Sequence, residues 1–197
     1  MTSARALVAL SFSCVLACSS IARADDAEAR DERSVIARGR ALTWGFSAIV
    51  PILLGDVRET SGRTLAYLNP GGGVEGRVGY ELEHGITIGL VGGVNAFVSE
   101  NSRALAMYRG GVQGRWTIDV GSIVAPVIGL AAGVFLAQLD AGMVATAYGR
   151  VLLAAQLVLA PWIAVEAGVS VEGALGMDAF ADPIAWISPQ VGLSFAE

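Results

Sequence analysis

Three observations on this sequence together predict an all-β fold, an eight-stranded antiparallel up-and-down transmembrane β-barrel. The chain is 54% hydrophobic and only 16% charged, with 25 glycines among 197 residues. That is unusually apolar for a soluble domain, and the length suits one domain. From residue 41 onward, apolar positions alternate with polar or small ones at a period of two, the period of a strand whose two faces meet different surroundings. The joints between the alternating segments are by turns short and long, as they are where strands run up and down through a bilayer.

The first 24 residues, "MTSARALVALSFSCVLACSSIARA", combine Arg5, an apolar run from Ala6 to Ala17, and Ala22-Arg23-Ala24 as a small-x-small cleavage site. They are expected to be a secretory signal; the apolar run is shorter than the roughly 20 residues a helical span requires. "VLAC", Val15 to Cys18, leaves a second processing route open, in which Cys18 is lipidated and becomes the mature N-terminus. Cleavage after Ala24 instead removes both cysteines, Cys14 and Cys18, and with them any disulfide or thiol chemistry. Residues 25–40, "DDAEARDERSVIARGR", mix both signs of charge without an apolar stripe and are expected to be a solvated leader.

Eight segments follow, at about 42–53, 72–82, 86–97, 105–118, 123–137, 146–160, 162–175 and 185–195, each near or beyond the nine to eleven residues of a tilted membrane strand. In "VEGRVGYEL", Val74, Gly76, Val78, Tyr80 and Leu82 oppose Glu75, Arg77, Gly79 and Glu81. In "LAMYRGGVQGRWTI", Tyr108, Val112, Trp116 and Ile118 oppose Arg109, Gln113, Arg115 and Thr117. "WIAVEAGVSVEGAL" sets Ile163, Val165, Val169 and Val171 against Glu166, Ser170 and Glu172. The last segment sets Ile187, Val191, Leu193 and Phe195 against Ser188, Gln190 and Ser194. The apolar face is expected to meet lipid and the polar face to line the lumen. "EHG", "DVGS" and Pro161 make short turns, whereas "LGDVRETSGRTLAYLNPG" and "GMDAFADPI" make long joints. The short turns and both termini then share one side of the membrane.

Other folds fit less well. A soluble eight-stranded barrel has its apolar face inside, whereas here the apolar face is too continuous, and the other face too charged, for that arrangement. Residues 120–139, "VGSIVAPVIGLAAGVFLAQL", are uncharged over a full helical span. They contain Pro126 and several glycines, and the remaining segments carry Glu or Arg too often to be helical spans. A closed barrel satisfies every backbone group within lipid.

A signal followed by eight such strands resembles the small outer-membrane barrels of the OmpA/OmpX type, the broad outer membrane protein β-barrel domain family of Gram-negative bacteria. The likeness covers residues 41–197, with 25–40 as a periplasmic leader. In "QVGLSF", Gln190, Gly192 and Phe195 have the spacing of the C-terminal signal that the barrel-assembly machinery reads in that family, although the chain ends on Glu197 rather than an aromatic residue. Trp44, Tyr80, Trp116 and Phe195 collect at the expected periplasmic rim like an aromatic girdle, with Tyr108 at the outer rim. The resemblance implies a porin-like cell-envelope protein in the outer membrane, with outer-membrane lipid and the assembly machinery as partners and a monomeric state.

No catalytic set is legible. His84, the single histidine, lies in the "EHG" turn without a reliably placed serine. No second His or retained Cys exists for a metal site. "NPGGG" lacks the Lys-Ser/Thr of a phosphate loop, and a net charge of −5 gives no footprint for nucleic acid. No enzyme, cofactor or metal is therefore expected. The constellation that remains is a lumen charge network of Glu75, Arg77, Glu81, Arg109, Gln113, Arg115, Arg150, Gln156, Glu166 and Glu172. Glu75, or a carboxylate from another strand neighbouring the fourth, is the candidate partner of Arg77. In an eight-stranded barrel these side chains are expected to fill the interior, because unpaired buried charges are costly. The leading expectation is a structural or surface-interaction barrel with a closed polar lumen. The alternatives are a narrow channel or carrier for small, including hydrophobic, molecules and, ranked below it, a lipid-modifying enzyme.

Overall fold

The computed structural model describes residues 41–58, 64–66, 70–98, 104–139, 142–175 and 182–197. The expected signal and leader, with Cys14 and Cys18, lie outside the described residues. Within them the protein is all β, apart from one 3-10 turn at Glu83–Gly85. In chain order the strands are β1 (Ala41–Ile49), β2 (Ile52–Leu53), β3 (Val57–Arg58), β4 (Thr64–Ala66), β5 (Gly72–Glu81), β6 (Ile86–Val98), β7 (Ala104–Thr117), β8 (Val124–Leu139), β9 (Gly142–Ala160), β10 (Ile163–Ala174) and β11 (Ile184–Ala196). Strands β1 and β5 to β11 each pair antiparallel with the next, and β1 pairs back onto β11, so eight strands close into a barrel. Closure leaves the sheet without an edge, which a lipid environment requires.

Two boundaries differ from the sequence expectation. The segment expected at 42–53 is interrupted after Ile49, because Pro51 has no amide hydrogen to give to a ladder. The chain resumes as β2 against β11, with Leu53 opposite Trp186. The joint between β8 and β9, expected to be a long one, is only residues 140 and 141. These strands reach 16 and 19 residues, well past what crossing a bilayer requires, so loop length does not alternate strictly.

The short turns lie at the end where the described chain begins and finishes. Ala41 faces Glu81 in the ladder, just before Glu83–Gly85, and Thr43 faces Ala196. His84 (φ 64°) and Gly85 (φ 74°) both occupy the left-handed region there. A side chain on Gly85 would also strike the Thr117 carbonyl oxygen, so Gly85 serves both the turn and its close contact with β7.

The outward face is apolar around the wall. Val112 is 60% exposed, Leu130 61% and Val78 43%, values that suit a surface covered by lipid. Trp44, Tyr80 and Trp116 are exposed on this face toward the short-turn end, joined by Trp162 in the β9–β10 turn. Phe195 stacks on Trp44 with ring centroids 4.1 Å apart. The uncharged run at 120–139 is a turn followed by β8. Among the described residues no helix is long and apolar enough to cross a membrane.

The interior has two zones. Toward the short turns it is charged. Toward the other end it is a packed apolar cluster built from Phe97, Leu105, Met107, Phe135, Ile184 and Trp186, to which Leu53 of β2 and Val57 of the β3–β4 hairpin are added. Phe135 and Trp186 lie 5.5 Å apart, centroid to centroid.

Candidate functional site

The charged zone is assembled from β5, β7, β9 and β10, whose period-two pattern turns every second side chain inward. Glu75, Arg77, Glu81, Arg109, Gln113, Arg115, Arg150, Gln156, Glu166 and Glu172 all point into the barrel, none more than 9% exposed. Space for their long side chains comes partly from glycines paired across the ladder on the inner face. Gly79 faces Gly89 and Gly111 faces Gly133; a Cβ on Gly89 or Gly133 would run into the partner strand's backbone.

Two carboxylates organise the network. Glu75 accepts from Arg109 at 2.8 Å and from Arg150. Glu166 accepts on one oxygen from Arg115 and, at 3.2 Å, from Arg77. The expected pairing of Arg77 with Glu75 is therefore not the one formed. Glu75 and Arg77 are two residues apart on one strand and point the same way, while Glu166 reaches Arg77 from β10. Arg77 also donates to Ser47 at 3.1 Å and to Ser194 at 2.6 Å. The Arg109 Nε lies 3.1 Å from Glu172, an ion pair whose angle falls outside hydrogen-bond geometry. Glu172 accepts from Ser170 at 2.8 Å.

Gln190 ties the two halves together. Its Oε1 accepts from Arg150 at 2.7 Å, and its Nε2 lies 3.5 Å from Glu166. Of the three C-terminal residues singled out in the sequence, Gln190 thus faces the network. Gly192 faces Ser47 across the closing seam, where a Cβ would strike the Phe46 carbonyl oxygen and Ser47. Phe195 lies outside in the aromatic stack. Gln113 donates to the Leu90 carbonyl at 3.3 Å. Glu81 and Gln156 make no hydrogen bond or ion pair with the described residues.

Sequence reasoning missed Ser47, Asn95 and the apolar cluster. The ladder places Ser47 opposite Glu75, a register that alternation alone does not supply. The cluster had no signal of its own, because at that end of the strands both faces read as apolar. Where the zones meet, Tyr148 and Trp186 are buried, and their hydroxyl and indole N–H have no partner among the described residues. Among the described residues no group of three or more His, Cys, Asp or Glu side chains could hold a metal ion.

No family model matches this chain, and no curated protein matches it. Solved structures do. Neisserial surface protein A superposes over 78% of this chain and 96% of its own, with a TM-score of 0.63 at 13% identity. Ail, the attachment invasion locus protein of Yersinia pestis, gives a TM-score of 0.48 at 14% identity, over 80% of this chain and 99% of its own. The N-terminal β-barrel domain of Pseudomonas aeruginosa OprF gives 0.46 at 12% identity, over 79% and 97%. With its eight strands closed in the same way as those of Neisserial surface protein A, the chain has the fold of the small outer-membrane β-barrels.

Proposed function

We propose that the protein is an integral barrel of the bacterial outer membrane, exported by its N-terminal signal, that acts as a non-conducting scaffold for its longer loops. In this reading the short turns face the periplasm, outer-membrane lipid covers the apolar wall, and the chain is a monomer inserted by the barrel-assembly machinery through Gln190, Gly192 and Phe195. The observation that carries the non-conducting role is double closure of the lumen. A network of four arginines and three glutamates fills one half, and the cluster around Phe135 and Trp186 fills the other. An ion would have to break buried pairs and then cross an apolar layer, each step costing several kcal/mol.

Planar-bilayer recording on the refolded protein tests this. Bilayers containing the protein are expected to stay at baseline conductance. Discrete conductance steps would overturn the scaffold role and favour a narrow channel.

A further inference from the structure

We propose that the short-turn mouth of the barrel binds a small zwitterion, its ammonium group on Glu81 and its carboxylate on Arg115. A small vestibule of about 50 Å³ opens there, lined by Glu81, Thr87, Gln113, Arg115, Thr117 and Gln156 among others. Glu81 is 6% exposed and inward-facing, yet among the described residues nothing donates to its carboxylate. Its ladder neighbours are Ala41 and Thr87, neither charged. Its carboxylate oxygens are not among the atoms sealed from solvent, so the unpartnered group faces the open space of the mouth.

The arginines at the mouth differ. Arg77 commits both terminal nitrogens, one to Ser47 and the other to Ser194 and Glu166. Arg115 gives only one nitrogen, Nη2, to Glu166, on the oxygen that Arg77 already occupies. Its Nε and Nη1 make no hydrogen bond with the described residues, and they are not among the atoms sealed from solvent. One carboxylate serving two guanidinium groups leaves an excess of one positive charge in this layer, and Glu81 supplies one unpaired negative charge.

The ladder fixes the spacing. Glu81 faces Thr87, and Thr87 faces Arg115. Two steps of about 4.8 Å put the two α-carbons roughly 10 Å apart, with both side chains directed inward. That gap suits a ligand whose charges are a few ångströms apart, while the hydroxyl and amide groups of Thr87, Gln113, Thr117 and Gln156 can take its remaining polar atoms. A lone cation at Glu81 would meet the free face of Arg115, and a lone anion at Arg115 would meet Glu81. A neutral molecule with both charges meets neither repulsion. The site needs no passage through the barrel and stands independently of the scaffold role.

The full chain, refolded in detergent micelles and carrying 13C-labelled glutamate, provides the test. Titration with glycine is expected to shift the Glu81 side-chain carbon resonance saturably, whereas methylammonium chloride and sodium acetate at equal ionic strength bind about tenfold or more weakly. In Glu81→Gln, which keeps the side chain's shape, the saturable glycine response of the Thr87 amide is expected to vanish. Absence of a saturable shift, an equal response to either ion alone, or a response retained in Glu81→Gln would each overturn the assignment. The comparison of the three solutes on the unaltered chain decides the matter even if the variant does not fold.

Discussion

Glu166 accepts two guanidinium groups on a single oxygen while buried to 1% exposure, so its charge holds two arginines in place at once. Glu166→Gln strands Arg77 and Arg115 together. It is expected to lower stability in lipid vesicles by about 3 to 5 kcal/mol, read as a fall in the urea midpoint. Glu81→Gln, removing a carboxylate without a donor, is expected to leave that midpoint unchanged or raise it, and a comparable fall for both variants would contradict this network. On the opposite face, Val78 lies at mid-strand and 43% exposed. Val78→Arg is expected to cost about 2 to 4 kcal/mol in vesicles, and neutralising Glu75 or Glu166 is not expected to restore what is lost. At this scale the direction of each side chain was legible in the sequence, because a strand's period of two leaves only two choices. Which carboxylate meets Arg77 was not legible, since the answer depends on β10 reaching across the lumen.

At the scale of elements, the seam between β1 and β11 decides whether the barrel exists at all. It runs from Thr43 opposite Ala196 to Ile49 opposite Gln190, sealed outside by the stack of Trp44 on Phe195 and inside by Gly192 lying flat against Ser47. Gly192→Val would push a branched side chain into the β1 backbone and is expected to block closure, leaving no compact form that runs ahead of the unfolded chain on an unheated SDS gel. Phe195→Ala is expected to fold, with a loss of about 0.5 to 1.5 kcal/mol from the ring pair. Positions of the eight segments could be read from alternation to within a few residues. The break at Pro51 and the extension of β8 and β9 to residues 139 and 142 could not. Alternation marks where a strand can form, while partners across the ladder decide how far it continues.

For the whole molecule, the arrangement of ends gives a test of orientation. With the short turns in the periplasm, Arg58→Cys, at an exposed position in the hairpin that follows β2, is expected to react with an impermeant maleimide on intact cells. His84→Cys in the short β5–β6 turn is expected to react only after the outer membrane is opened, and the reverse pattern would invert the topology. By itself the sequence determined the closed eight-stranded barrel, the apolar outward wall and the residues that point inward. All of these follow from strand periodicity and from the requirement that lipid leave no backbone group unpaired. Only the tertiary structure decided the pairing of Glu166 with two arginines, the idle carboxylate of Glu81 and the apolar stopper around Trp186. Those features depend on the relative heights of side chains on strands distant in sequence, and ladder register and barrel closure set those heights where alternation along any one strand cannot.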